Sequence, residues 1–173
     1  PLPALTLTKK QCDCIQAPAV SAILSKLHMN RKTARAIVFG PIKYAGLGLP
    51  SLYTNESIGQ LRLLLGHLRL QDKTAKLILI DLSYIQILVG SGNLFLNLSY
   101  NKYNYCTETG WLISIWQLLS EINLKIAIRQ AYVPSPPREH DIVLMDFIVT
   151  LNVSNKLLKR INRCRVHLQV IFL

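Results

Sequence analysis

Leucine and isoleucine recur at helical spacing in two long segments near the middle of the chain. In the first, residues 55–71 after a cap at Thr54, the apolar side chains fall on two opposite faces, which predicts a helix buried on two sides. In the second, residues 73–89, Asp72 is placed to cap the first turn and Gly90 to end the last one. The pattern therefore predicts two consecutive helices.

Weaker periodic segments on either side predict further helices. They span residues 8–28 with a kink near Pro18, 30–38, 109–122, 138–151, and 155–173 after a cap at Ser154. Residues 90–107 have no clear period and predict a long loop, whereas residues 124–133 alternate partly and predict at most a short strand. The fold expected is mainly α, an irregular helical bundle of about six or seven helices.

The chain forms a single helical region, residues 1–173, in three consecutive parts. Residues 1–53 hold a basic segment and a glycine-rich turn, 54–133 the leucine-rich helices with the loop at 90–107, and 138–173 the C-terminal helices. The chain starts at Pro1 and stops within an apolar run, so we expect a fragment of a larger polypeptide.

The net charge of the chain restricts the kinds of partner it can bind, but it gives no information on the fold. The chain has 20 Lys and Arg against 9 Asp and Glu, a formal net charge of +11. An excess of this size favours polyanionic partners, nucleic acid first and then an anionic membrane or an acidic protein. The longest apolar segment, 74–89, carries Lys76 and Asp81 and is too short to span a membrane. With no secretory signal in these residues and a C-x-C rather than a zinc spacing at Cys12, we expect reduced thiols and an intracellular protein, nuclear or cytoplasmic.

The glycine-rich stretch at residues 39–53, FGPIKYAGLGLPSLY, differs from the known phosphate-binding loops. It lacks the Gly-Lys-Ser/Thr ending of a Walker loop and the third glycine of a dinucleotide-binding turn. The glycines instead predict a tight turn in which the backbone takes unusual angles. The turn residues are Gly40, Gly46, Gly48 and Pro50.

The nine carboxylates are scattered and include no Asp-Asp pair that would clamp divalent ions. The one tight acidic cluster contains His140 and Asp141, with Asp146 further on. Asp141 is a candidate base or ligand, although acids in a first helical turn also complement the helix dipole. We assign no catalytic residue and no metal ligand in this chain.

Basic residues form two groups. On the last predicted helix they lie within one narrow arc, whereas Leu157, Leu158, Ile161, Cys164 and Leu168 lie on the other side and Arg165 intrudes near them. No acid lies within this helix, so the face suits a phosphate backbone. The arc consists of Lys156, Lys159, Arg160, Arg163 and His167, and a second group flanks the glycine stretch: Arg31, Lys32, Arg35 and Lys43.

The segment Asn30–Tyr53, NRKTARAIVFGPIKYAGLGLPSLY, resembles the region just downstream of the polymerase palm in reverse transcriptases of non-LTR-type retroelements. Those proteins carry a basic segment, then K-x-G-G-L-G-L-P-x-L, then a leucine-rich helix with Q-L-x-L-L-x-x-H-L, here QLRLLLGHL at residues 60–68. The pieces REHD at 138–141 and LMD at 144–146 are also similar. The resemblance covers residues 8–90 well and the rest loosely, and Ala45 stands where the family usually has glycine.

The resemblance implies a helical thumb or post-palm connection that grips the RNA/DNA primer-template. It also implies that the fingers and palm of this RNA-directed DNA polymerase, with their Mg²⁺-binding aspartates, lie upstream, so no cofactor is expected in this chain. By this resemblance, a basic, turn-rich segment of the chain is expected to lie near nucleic acid. Its residues are Arg31, Arg35, Lys43 and 46–50.

Three alternatives stay open. The chain is a helical scaffold whose partner surface is apolar, or a nuclease in which Asp141, His140 and Asp146 converge in one cleft, or a translated relic without a selected function. Whether this chain is itself an enzyme is left open by its residues.

Overall fold

A computed structural model of the protein describes residues 6–106 and 108–173. Over these residues the fold is mainly α-helical with no sheet, as predicted. Residues 1–5 of the predicted basic segment and Thr107 of the predicted loop lie outside the described residues. The α-helices are α1 Lys9–Lys26, α2 Arg35–Phe39, α3 Leu52–Leu70, α4 Lys73–Val89, α5 Tyr100–Tyr103, α6 Trp111–Glu121, α7 Leu144–Thr150 and α8 Asn155–Leu168.

The chain divides into two compact units, with the boundary between Arg62 and Leu63. The boundary lies within α3, whereas the sequence placed residues 54–70 of this helix with the leucine-rich segment 54–133. The first unit contains α1, α2 and the start of α3, and the second contains the rest.

In the first unit, α1 packs against α2 and the glycine-rich turn. Thr8 and Gln11 form a capping box at its start, and the helix is continuous through Pro18. Its core residues Val20 and Leu24 cluster with Val38 of α2. This cluster fixes α2, which leads directly into the turn.

The glycine-rich turn folds back on α2 through backbone hydrogen bonds. The N–H of Leu47 donates to the carbonyl of Ile37 at 2.8 Å, and the N–H of Gly48 donates to the carbonyl of Gly40 at 2.8 Å. A Cβ on Gly46 would collide with the carbonyl group of Gly40. The predicted tight turn therefore forms, because only glycine allows the two backbone segments to come this close.

The second unit is built around Trp116 of α6. This side chain is fully buried, and its indole N–H donates to the carbonyl of Leu98 at 2.8 Å. Phe95 and Tyr100 meet its ring edge-to-face at centroid distances of 5.3 and 5.2 Å. Packing three aromatic rings together in this geometry gives residues 94–100 a fixed path.

Local signals predicted α4 to the residue. The Asp72 carboxylate accepts the N–H of Ala75 at 2.7 Å, and Gly90 ends the helix with φ +69°. By contrast, α3 begins at Leu52 and not after Thr54, because the Ser51 hydroxyl accepts the N–H of Thr54 at 3.4 Å.

Besides the earlier start of α3, five predicted elements differ from the structure. The helix predicted at 30–38 is confined to α2, and residues 30–34 are not helical. Residues 90–107 contain 3-10 turns at Phe95–Asn97 and Asn104–Cys106 and the single turn α5. Residues 124–133 form no strand. The helix predicted at 138–151 is confined to α7, and the helix predicted to reach residue 173 ends at Leu168.

The last two differences have one cause, which is a pairing between distant residues. Ile142 and Leu173 exchange two backbone hydrogen bonds, at 3.1 and 2.9 Å, and the N–H of Leu144 donates to the carbonyl of Ile171 at 3.0 Å. The extended backbone that this pairing requires removes both segments from their helices.

Candidate nucleic-acid interface

The helix α8 is defined at both ends by its own sequence. The Ser154 hydroxyl accepts the N–H of Leu157 at 3.4 Å, which satisfies one of the free donors of the first turn. At the other end Gln169 takes a left-handed conformation with φ 55°, and its N–H donates to the carbonyls of Arg165 and Val166. Four turns of helix thus lie between two caps.

One face of α8 is held against its unit by an apolar and a polar contact. Leu158 is buried in a cluster with Tyr105 and Met145. One turn further on, the amide of Asn162 donates to the carbonyl of Leu88 at 3.0 Å, and Asn162 is 5% exposed. Together they fix the rotation of α8 about its own axis.

Arg165 completes this face one turn later. One of its terminal nitrogens donates to the carbonyls of Ile87 and Leu88, at 2.6 and 2.9 Å, and its Nε donates to Asn162 Oδ1 at 2.9 Å. These carbonyls are among the last of α4, where a helix has free acceptors and a partial negative charge. The C-terminal end of α4 thus stabilises a buried cation.

The close approach of Arg165 depends on Gly90. A Cβ at Gly90 would lie 2.6 Å from the guanidinium carbon, so any larger residue would displace the side chain. Burial lowers the pKa of the Arg165 guanidinium from its usual range, yet an arginine keeps its charge at neutral pH. The positive charge of Arg165 therefore lies beneath α8, on its buried side.

The predicted basic arc lies on the side of α8 opposite this anchored face. At 100° per residue its members span an arc of about 100°, centred about 150° from the direction of Leu158, Asn162 and Arg165. All of them are exposed, and within the described part of the chain none forms an ion pair with a carboxylate. The arc comprises Lys156, Lys159, Arg160, Arg163 and His167.

The sequence missed the polar half of the anchored face. Of the apolar residues expected there, Leu157, Cys164 and Leu168 are exposed. Asn162 and Arg165 are buried in their place, because the ends of α4 present carbonyls that apolar side chains would leave unsatisfied. The feature of the sequence that could have predicted their burial is their helical spacing from Leu158. A pattern of hydropathy alone does not take this spacing into account.

A cleft of about 530 Å³ opens beside the basic arc. Leu88, Asn162 and Val166 contribute to its walls. The charged and titratable groups that line it are Lys159, Arg163 and His167 on the α8 side and Tyr105, Cys106 and Glu108 on the other.

Two groups in the cleft are held neutral. Burial, followed by the proximity of Cys106 and Tyr103, holds the pKa of the Tyr105 hydroxyl well above its usual range. Burial likewise raises the pKa of the Cys106 thiol to about 12, and this thiol donates to the carbonyl of Tyr103 at 3.1 Å. Neither group adds negative charge to the cleft at neutral pH, so Glu108 is the one carboxylate that lines it.

The second predicted basic group lies in the first unit. Arg31 and Lys32 follow α1, Arg35 begins α2, and Lys43 lies in the 3-10 turn Ile42–Tyr44 with its Nζ 5.5 Å from the centre of the Tyr44 ring. All four basic side chains are exposed. The two predicted basic groups thus belong to different units.

Of the candidate acidic residues, Asp146 holds local backbone in place. Its Oδ2 accepts from the Ser91 hydroxyl at 3.1 Å and from the N–H of Gly92 at 2.9 Å, and its Oδ1 accepts from the Tyr103 hydroxyl at 2.9 Å. His140 is exposed and Asp141 half-buried. Among residues 6–106 and 108–173, no three His, Cys, Asp or Glu side chains are grouped so as to hold a metal ion.

No protein-family model, curated protein or solved structure matches this chain. Within the described residues, no helix combines the length and the apolar character that crossing a membrane requires.

Proposed function

We propose that this chain binds the phosphate backbone of nucleic acid through the basic arc of α8. The observation that carries the proposal is the geometry of this helix. Its anchored face is fixed by Leu158, Asn162 and Arg165, so four permanent cations are directed away from the body of their unit, with no acid in the helix to neutralise them.

The length of the arc fits a run of phosphates. From Lys156 to Arg163 the helix rises roughly 10 Å at 1.5 Å per residue. Phosphates follow one another along a duplex strand at an axial rise of about 3.4 Å, so the arc reaches about three of them on one strand. Lysine and arginine contacts of this kind are independent of base sequence, so we expect binding without sequence preference.

The wider context that we propose is the region after the palm in a reverse transcriptase of a retroelement. This rests on the resemblance at Asn30–Tyr53. In that context the chain is a non-catalytic, thumb-like part that contacts the primer-template, with Arg31, Lys32, Arg35 and Lys43 as further contacts. The upstream palm would supply Mg²⁺ and the polymerase activity.

The test is binding of the purified chain to a labelled DNA duplex and to an RNA–DNA primer-template across a salt series. Contacts by four cations predict a slope of log K against log salt of about −3.6 on duplex DNA, and about −1.8 after two cations are removed. The variant is Lys159→Gln with Arg163→Gln. Its matched control is Lys125→Gln with Arg129→Gln, an exposed pair of the same types and spacing.

The two double variants lose the same net charge, so they separate a local contact from overall attraction. We expect the slope to fall only in the α8 variant. Equal slopes in both variants, or no binding at low salt by a chain whose circular dichroism shows it folded, would overturn the proposal. The second result would favour the scaffold or the relic.

A further inference from the structure

Helix α4 is apolar on two opposite faces, and in the described part of the chain only one of them is covered. The buried side chains are Ala75, Ile78, Leu82, Gln86 and Val89. At 100° per residue, four exposed apolar side chains lie about 180° from the direction of that buried face. They are Leu77, Ile80, Tyr84 and Ile87, which we call the α4 stripe. Because a helix that is apolar all round is normally covered on every side, the stripe is a surface for a partner.

The α4 stripe has the spacing of a coiled-coil seam. Its members follow one another at intervals of three, four and three residues. This places Leu77 and Tyr84 at the a positions, and Ile80 and Ile87 at the d positions, of two consecutive heptads. Such a seam faces a second helix that lies alongside the first at a small crossing angle. The spacing therefore favours a helical partner whose apolar side chains repeat in the same way.

Two charged side chains on either side of the stripe identify that partner. Lys76 occupies the g position before Leu77, and Asp81 occupies the e position after Ile80. Both are exposed, and among the described residues neither has an ion-pair partner in its own chain. In a parallel pair of helices, the g side chain of one faces the e side chain of the next heptad in the other. A second copy of this chain thus supplies both a matching seam and the opposite charges.

We propose that α4 is a dimerisation surface, on which two copies of this chain pair in parallel with their stripes in contact. Lys76 of each copy then faces Asp81 of the partner subunit, and the two-fold axis makes this ion pair twice. The elements packed on the buried face of α4 lie on the far side of the helix, so they leave the stripe open. This inference stands on α4 alone and does not depend on nucleic-acid binding.

The size of the stripe predicts a weak dimer. Its side chains are between 41 and 64% exposed, so covering them buries on the order of 400 Å² per copy, about half of a standard interface. Pairing does not have to order α4, because the helix is already folded within its unit. Two chains of net charge +11 repel each other, which opposes pairing. We therefore expect a dimer that dissociates on dilution.

Sedimentation velocity over a concentration series, at an ionic strength of about 0.15 M to screen long-range repulsion, is the first measurement. The mass of the unmodified chain should rise from one copy to two. Ile80→Asn should weaken association by about tenfold or more, since the two-fold axis places the change in both copies. Ile15→Asn is the matched control, because Ile15 of α1 is 59% exposed and Ile80 is 63% exposed. A single chain at every concentration, or equal effects of the two substitutions, would overturn the proposal.

A charge exchange tests the parallel pairing with variants that do not disturb the core. Lys76→Glu places two acids opposite each other at both pairs and should weaken the dimer by about tenfold. It also lowers the net charge, so general repulsion alone would make the dimer stronger. Adding Asp81→Lys to Lys76→Glu restores opposite charges and should recover the affinity. A stronger dimer in Lys76→Glu, or no recovery in the double variant, would overturn the pairing.

Discussion

At the residue scale, Ala45 holds a backbone conformation that glycine adopts with less strain. Its φ is +60°, a region that costs a residue with a Cβ roughly 1–2 kcal/mol. Glycine would remove that strain but lose about 0.5–1 kcal/mol more chain entropy on folding. We therefore expect Ala45→Gly to stabilise the first unit by up to about 1 kcal/mol.

The measurement is the urea midpoint followed by far-ultraviolet circular dichroism. Ala22→Gly is the matched control, because Ala22 is exposed within α1, where the same change should cost about 1 kcal/mol. The two variants should move the midpoint in opposite directions. A decrease of equal size in both would show that the conformation of Ala45 carries no strain.

Gly46 and Gly66 allow a second comparison, because the same change from glycine to alanine places the new Cβ in different surroundings. A Cβ on Gly46 would collide with the backbone carbonyl of Gly40, whereas a Cβ on Gly66 within α3 would meet nothing within 4 Å. Gly46→Ala should destabilise the chain by about 3 kcal/mol through overpacking, and Gly66→Ala should stabilise it by about 1 kcal/mol through helix propensity. Thermal unfolding of both variants tests this, and a Tm for Gly46→Ala at or above that of the unmodified protein would contradict it.

At the element scale, α8 is oriented by Arg165. Arg165→Ala would leave the carbonyls of Ile87 and Leu88 without this donor and open a void at a site that is 3% exposed. We expect a loss of about 3 kcal/mol in the free energy of unfolding. Arg163→Ala is the control two positions earlier, on the exposed face, where the loss should stay within about 0.5 kcal/mol.

Urea unfolding followed by the fluorescence of the two tryptophans measures both variants within the second unit. Equal losses would mean that the buried guanidinium contributes no more than an exposed one, which would contradict the anchoring of α8. A larger loss for Arg163→Ala would contradict it as well.

The elements that sequence predicted well are those whose ends are set by neighbouring residues. Asp72 and Gly90 define α4, and Ser154 defines the start of α8, because each acts within one helical turn. The end of α8 was misplaced because Leu173 pairs with Ile142, which is distant in sequence.

The candidate interface follows from the sequence only in part. Helical periodicity alone places Lys156, Lys159, Arg160 and Arg163 on one arc of α8. The cleft was not predicted, because Tyr105 lies in a segment without a period and reaches α8 only through tertiary packing. The anchoring by Asn162 and Arg165 was missed because polar residues are expected outside.

At the scale of the whole molecule, positive charge is spread over the surface. Arg165 is the one lysine or arginine of the chain that is buried, and the rest are exposed. Within the described residues, the ion pair present is His67–Asp72, with its atoms 2.7 Å apart. The net charge of +11 is therefore largely unscreened by the protein itself, which favours fast association with a polyanion.

This distribution predicts that the rates of association and dissociation respond to different residues. Long-range attraction depends on total charge, so Lys159→Gln with Arg163→Gln and the control Lys125→Gln with Arg129→Gln should slow association with a DNA duplex by a similar factor. Dissociation depends on contacts in the complex, so only the α8 variant should dissociate from the duplex faster than the unmodified protein. Stopped-flow measurements of both rates at low salt decide this. If both variants dissociate alike, the contact surface includes neither pair, and binding would reflect overall charge without a defined face.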